Sequence, residues 1–266
     1  MLVVTGPGKR ARREVRDDEV LLAQTELGEK AIYVPGGSDG PEDEIGVSYS
    51  GMEWIPSFLG CGRMTMFVAG NPGAGKSYLA KEMILSLPRD YSVLLFTALD
   101  EDDGNFDELG KDRLFKVRMD PEILKQITLP EIRKRAKNCV LLFDDVDKIR
   151  DKAVEKLTFA IMEDALANGR QHKTHDGSGD IHVIATSHAL NDYKKTKYTL
   201  ENSDYVALFP GSTTKAQYDR MFSKLGLSQK MCDATYDMGK KGEVRSVIIR
   251  KSAPMYIIAG DTITLI

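Results

Sequence analysis

The sequence predicts an α/β fold: a doubly wound, mostly parallel sheet with helices on both faces. Apolar runs at 64–69, 92–97, 139–143, 181–186 and 204–209 alternate with longer stretches of helical character, the pattern left by strand–helix–strand crossovers. Most of these runs are apolar almost throughout rather than alternating, as strands covered on both faces are. The first run leads directly into Gly70-Asn71-Pro72-Gly73-Ala74-Gly75-Lys76-Ser77. That is a Gly-rich turn between a strand and a helix, with the spacing of a phosphate-binding P-loop.

Taken in order, residues 1–45 read as an N-terminal arm. Lys9, Arg10, Arg12 and Arg13 form a basic cluster, closely followed by Glu14, Asp17, Asp18 and Glu19. This mixture suits a solvated, partly flexible arm, and its basic half suits a nucleic-acid or localisation patch. Residues 35–44 have the composition of a loop. From 46 to 266 the chain reads as one domain. Its first part carries the single tryptophan, Trp54, which is expected to pack at the edge of the core sheet.

The core then runs as a strand at 64–69, a helix at 76–87 and a strand at 92–97. After it come the acids Asp100, Glu101, Asp102, Asp103, Asp107 and Glu108, which have the composition of a charged loop. Helical segments follow within 121–137, then a strand at 139–143, a long helix from about 151, and strands at 181–186 and 204–209. Helices near 213–225 and 228–238 lead into strand-like 244–250 and 254–258, expected as a terminal hairpin.

A length of 266 residues suits one large α/β domain, or one with an appendage, and supports a substantial core. The formal net charge of −3 gives no bulk basic field, so a nucleic-acid partner has to be met by local patches. Cys61, Cys139 and Cys232 are isolated and odd in number, which argues against a disulfide framework or zinc ribbon and for a reducing compartment. His172, His175, His182 and His188 lack metal-ligand spacing. No apolar run approaches membrane-spanning length and the N-terminus has no signal-peptide core, so a cytoplasmic setting is expected.

The P-loop carries the clearest chemistry. Gly70, Gly73 and Gly75 permit backbone angles that let successive N–H groups turn onto a phosphate. Asn71, Pro72 and Ala74 complete the loop, and Tyr78 follows it. The helix that opens here adds its positive dipole end. Lys76 is placed to reach the β- and γ-phosphates, and the Ser77 hydroxyl to bind Mg²⁺. The partner motif is Val140-Leu141-Leu142-Phe143-Asp144-Asp145, an apolar strand ending in acids, as in Walker B. Asp144 is expected to hold Mg²⁺ through water, and Asp145 to orient or deprotonate the attacking water. The cofactors implied are ATP and Mg²⁺.

A complete strand, 92–97, lies between the two Walker elements, and an acid follows the metal-binding one. The arrangement resembles the P-loop NTPases with an added strand and a catalytic acid (RecA/ASCE-like), including AAA+ and RecA-like motors. No N-K-x-D guanine motif appears, and no Arg-rich kinase lid pattern.

The stretch 164–209 narrows the resemblance. Ala167-Asn168-Gly169-Arg170-Gln171-His172 ends a helix, strand 181–186 closes in Ser187-His188, and an Asn-containing segment, 198–204, precedes the strand into Phe209. With F-D-D, this is similar to the poxvirus-type genome-packaging ATPases of the FtsK/HerA superfamily, over roughly residues 64–260. The sensor departs from that pattern: Ser187 and His188 stand where Gln usually follows Thr or Ser.

This resemblance implies a homo-oligomeric ring that moves double-stranded DNA into a capsid, with capsid or portal protein as a further partner. The setting would be a virion or host cytoplasm. It also implies an arginine donated to a neighbour's ATP, with Arg170 first and Arg133, Arg135 and Arg150 behind it. Ser187 would be the sensor. Lys194, Lys195 and Lys197, flanked by Tyr193 and Tyr198, have the composition of a DNA-contacting loop, as does 171–180; ordinary solvated loops share that composition. Two other readings use the same Walker pair: an AAA+-type remodeller or loader of protein or DNA, and a nucleotide-binding structural protein with little turnover. A kinase is a minor further reading.

Overall fold

The computed structural model describes residues 2–4, 19–25, 31–35, 46–48, 54–56, 63–98, 104–136, 138–169, 181–188, 193–252, 255–260 and 262–266. Its strands are β1 (Leu2–Val4), β2 (Glu19–Thr25), β3 (Ala31–Pro35), β4 (Gly46–Ser48), β5 (Trp54–Pro56), β6 (Thr65–Ala69) and β7 (Ser92–Thr97). They continue as β8 (Leu114–Lys116), β9 (Cys139–Asp144), β10 (Ile181–Ser187), β11 (Tyr205–Leu208), β12 (Val247–Arg250), β13 (Tyr256–Ala259) and β14 (Thr262–Leu265). The helices are α1 (Lys76–Leu85), α2 (Pro121–Leu124), α3 (Leu129–Arg135), α4 (Lys152–Asn168), α5 (Tyr193–Asn202), α6 (Lys215–Lys224) and α7 (Gln229–Lys240).

Among the described residues, ten strands form one sheet in the order β4-β14-β13-β12-β11-β6-β10-β9-β7-β8. From β11 to β8 every neighbouring pair is parallel. From β11 outward through β12, β13, β14 and β4 the pairs are antiparallel. The large sheet is thus mostly parallel, with an antiparallel extension. The expected terminal hairpin is the β12–β13 pair, continued by β14. A second sheet has the order β3-β2-β1-β5. Trp54 therefore falls in that second sheet, while Gly46–Ser48 supplies an edge strand of the large one.

Strand alternation sorts the central residues onto two faces. Met66 and Val68 of β6, with Val140 and Leu142 of β9, pack with Leu79, Ala80, Met83 and Ile84 of α1. Phe67, Ala69, Leu141 and Phe143 pack on the opposite face with α4 residues Val154, Ile161, Met162 and Ala165. Tyr218, Met221 and Phe222 of α6 extend this second layer. The continuous apolar strands are explained by this two-sided covering.

Helix starts follow from short polar side chains. Asp151 accepts from the N–H groups of Ala153 and Val154 at the head of α4, at 2.8 and 3.0 Å. Thr214 and Gln217 form a capping box on α6. The helical segments expected within 121–137 are α2 and α3; Pro130 lacks the N–H that a helix interior needs and sits in the first turn of α3. At the other end of α4, Arg63 donates to the carbonyls of Leu166 (2.9 Å) and Ala165, and its Nε to Ile181 at 3.1 Å. A cation there offsets the dipole and satisfies end carbonyls.

One expected loop is a helix. Residues 193–202, which include Lys194, Lys195 and Lys197, form α5. Thr196, Thr199 and Leu200 of α5 are buried, at the i, i+3, i+4 spacing of one helix face, and threonines give a weak apolar signal in sequence. The short edge strand β8 was likewise not expected; only three residues pair.

Phe143 is fully buried and stacks on Phe96, with centroids 4.6 Å apart and planes at 16°. Phe143→Ala should lower unfolding free energy by about 3–5 kcal/mol, read from the urea midpoint. A loss below about 1 kcal/mol would show that this layer closes around the deletion.

Candidate active site

The site is built at the carboxyl ends of β6, β9 and β10, where an open parallel sheet leaves a crevice. The loop leaving β6 turns through Gly73 at φ 75° and Gly75 at φ 105°, left-handed angles that side chains resist. Gly70 is small for another reason: a Cβ there would lie 2.8 Å from the Phe209 ring. The Gly70 N–H donates to the Ser187 carbonyl at 3.2 Å, tying the loop to β10. Asn71 Nδ2 donates to the Ser212 carbonyl. Helix α1 starts at Gly75 without a side-chain cap, so its first N–H groups have no side-chain acceptor at the helix start.

Lys76 is 5% exposed. Its Nζ lies 3.0 Å from His188 Nδ1 and 4.0 Å from Asp145 Oδ1, and donates to the Asn71 carbonyl at 3.4 Å. Ser77 Oγ donates to Asp144 Oδ1 at 3.1 Å. The two Walker elements, separate in sequence, therefore meet side chain to side chain.

Thr186 joins the two acids. Its hydroxyl donates to Asp144 Oδ1 at 2.8 Å and accepts from the Asp145 N–H at 2.9 Å. Asp145 sits at φ 51°, and among the described residues it alone combines a side chain with positive φ. Such a conformation costs of order 1–3 kcal/mol, and here the surroundings impose it. Asp145 Oδ2 is 2.6 Å from His188 Nε2 and accepts from Lys148 Nζ at 3.2 Å. Asp147 Oδ2 in turn accepts from Ser187 Oγ and the His188 N–H, both at 3.1 Å.

Charge balance follows from these contacts. Burial pulls the Lys76 ammonium below its ordinary pKa, opposed by Asp145 and Asp144. Burial also pushes the Asp145 carboxyl up, but Lys76 and His188 outweigh it and leave it below its ordinary value. Asp145 is thus held ionised, as a group that orients or deprotonates water must be. Ser77 and Asp144 present two hard oxygens side by side and fit Mg²⁺, which takes one or two carboxylates plus substrate phosphates. Among the described residues no cluster of three His, Cys, Asp or Glu could hold a metal alone; the Ser77–Asp144 pair needs a phosphate to complete its set.

Of the residues marked in sequence, Gly70 through Ser77, Asp144 and Asp145 converge, and Ser187 borders them. Tyr78 follows on the surface, 52% exposed. Arg170 and the 171–180 stretch lie outside the described residues. Arg133 donates to the Asn168 carbonyl at 2.9 Å, and Arg135 and Arg150 are exposed. His182 is buried, its Nδ1 accepting from the Met64 N–H at 3.0 Å. The acidic run leaves Glu108 paired with Lys81 at 2.8 Å. Thr186 was missed as a site residue, and His188 was read only as part of the sensor position, without its contacts to Lys76 and Asp145. A polar end to strand 181–187 was the available signal for both.

Residues 66–201 match the ATPase family associated with various cellular activities (AAA). The chain belongs to this family. A virophage relative of this AAA protein, the uncharacterized protein V3 of Sputnik virophage, is 27% identical over 233 residues, covering 86% of each. Among solved structures, the cytoplasmic domain of the type VII secretion ATPase EccC of Thermomonospora curvata is similar with a TM-score of 0.45 and 12% identity. That similarity covers 95% of this chain and 29% of EccC. The pCW3 conjugation coupling protein TcpA, with ATPγS, gives 0.44 at 13% identity, covering 84% of this chain and 64% of TcpA. The AAA chain thus spans less than two thirds of either solved protein.

Thr186→Val keeps the shape and deletes the hydroxyl shared by both acids. Turnover should fall about 10–100-fold, equivalent to roughly 1.4–2.8 kcal/mol, while nucleotide affinity changes far less. Steady-state ATP hydrolysis with a parallel nucleotide titration checks it; unchanged turnover would remove Thr186 from the site.

Proposed function

We propose that this chain is a Mg²⁺-dependent ATPase motor that couples hydrolysis to movement of double-stranded DNA, for packaging a viral genome. The observation that carries the ATPase half is the meeting of Lys76, Ser77, Asp144 and Asp145 around one crevice. The P-loop N–H groups and Lys76 hold the β- and γ-phosphates. Ser77 and Asp144 would hold Mg²⁺, which when bound would neutralise charge on the β- and γ-phosphates. Asp145 orients the attacking water and takes its proton. His188 Nε2, 2.6 Å from Asp145, positions that carboxylate and can share the proton.

The DNA half rests on the 164–209 pattern of the FtsK/HerA packaging ATPases and on the relative from a virophage. In this reading the subunits form a ring. Arg170, two residues past α4 in the sequence, would serve a neighbour's nucleotide, and Ser187 with His188 senses the γ-phosphate. The basic residues of α5 contact DNA phosphates without reading sequence. Residues 1–45 are an arm and 46–266 the ATPase domain, with its C-terminal helices and hairpin. Among the described residues no helix is long and apolar enough to cross a membrane.

The AAA match favours a second reading, a remodeller or loader acting on protein or DNA. Hydrolysis measured with and without double-stranded DNA, at low and moderate salt, separates the two. Stimulation that fades as salt rises supports the motor, because each phosphate contact releases counterions. Turnover indifferent to DNA supports the remodeller. In either case Lys76→Ala and Asp145→Ala should each reduce ATP turnover by at least about 100-fold; undiminished turnover in both would sink the assignment of these residues.

Arg170→Ala gives a separate test. An arginine acting in trans should be lost from its own chain yet leave that chain's P-loop able to fire. Mixing Arg170→Ala with Lys76→Ala should therefore recover part of the activity that each lacks alone. No recovery in mixed assemblies would argue against a shared site.

A further inference from the structure

The sheet order sets the direction of a bound nucleotide. On one side of β6 lies β10 and beyond it β9, whose end carries Asp144 and Asp145; on the other lie β11 and β12. A nucleotide whose γ-phosphate points toward β9 sends its nucleoside end toward β12. On that side Arg245, in the turn before β12, reaches back to the P-loop. Its Nε donates to the Ala74 carbonyl at 3.2 Å, across 171 residues of sequence. Its guanidinium lies against Gly75, where a Cβ would collide with it, and 5.2 Å from the Tyr78 ring centroid. Lys81 Nζ is 5.3 Å from the same ring.

Tyr78 is half exposed and stands one residue after the P-loop serine. An aromatic in that position, held by a cation yet open to solvent, gains little from burial. Among the described residues Ala74 is the hydrogen-bond acceptor of Arg245, which leaves the terminal amino groups of the guanidinium available beside the head of α1. A planar cation with available donors and an exposed ring together match what a nucleoside presents: a flat π-surface on a phosphate ester.

We propose that Tyr78 and Arg245 form the subsite for the nucleoside end of the nucleotide. The base packs on the Tyr78–Arg245 platform, and the terminal amino groups of Arg245 donate toward the ribose. The inference rests on the ATPase reading. It also gives the antiparallel C-terminal extension a role, since β12 delivers the arginine.

Calorimetric titration of the full chain with ATP, ADP and inorganic tripolyphosphate tests it, using Arg245→Ala, Arg245→Lys and Tyr78→Ala with thermal unfolding recorded for each. ATP and ADP affinity should fall roughly tenfold in both alanine variants, with tripolyphosphate affinity kept within about twofold and the lysine variant intermediate. Equal losses for ATP and tripolyphosphate would overturn the proposal and make Arg245 a strut for the P-loop. Unchanged ATP affinity in either alanine variant would overturn it too. A wild-type chain that binds neither ATP nor tripolyphosphate would instead defeat the ATPase reading beneath it. Tyr78→Ala leaves the Arg245–Ala74 contact in place, so it reports on the subsite even if Arg245→Ala unfolds.

Discussion

The organising interaction is the meeting of Lys76 with Asp145 at the carboxyl edge of the sheet, both largely withdrawn from water. Opposite charges so placed cost desolvation that only mutual attraction and further hydrogen bonds offset. The surroundings supply those bonds. Asn71 and His188 hold the lysine, while His188 and Lys148 hold the carboxylate. Removing one partner leaves a buried charge uncompensated, which is why the network involves several elements rather than one loop.

The parallel core makes this arrangement possible. Three neighbouring strands, β6, β10 and β9, end at the same level. Each contributes a different chemical part: the phosphate loop, the Thr186–His188 bridge and the two acids. The two apolar faces fix the strand register, because a slip by one residue would exchange Phe67 and Phe143 for their buried neighbours on the α1 side. The strained backbone at Asp145 is sustained by the same packing. Thr186 holds its N–H from the adjacent strand.

The antiparallel extension adds a second function to the sheet. β12 pairs with β11 and carries its preceding turn back across the P-loop. Helices α6 and α7 sit between β11 and β12 in the chain, and their packing sets where that turn arrives. Gly239 of α7 lies directly on Pro210, so close that a Cβ would overlap the proline ring. The Lys215–Asp233 pair at 2.6 Å links the two helices.

The sequence by itself determined the parallel core, the P-loop and the acids that face it. Local patterns carry that information: a continuous apolar strand, glycines at left-handed angles, and an apolar run ending in Asp144 and Asp145. Gly73 and Gly75 take the positive φ angles that their spacing implied. The tertiary structure decided what depends on distant neighbours. His188 was legible only as the polar end of a strand, and its contact with both Lys76 and Asp145 requires β10 to lie between β6 and β9. The stretch with Lys194, Lys195 and Lys197 between Tyr193 and Tyr198 read as a basic loop because threonines and a single leucine make a faint apolar face; packing turned it into part of α5. Arg245 carried no motif at all. A guanidinium that reaches its partner across 171 residues leaves no periodicity or spacing in the chain, and only the pairing of β12 with β11 brings it to the P-loop.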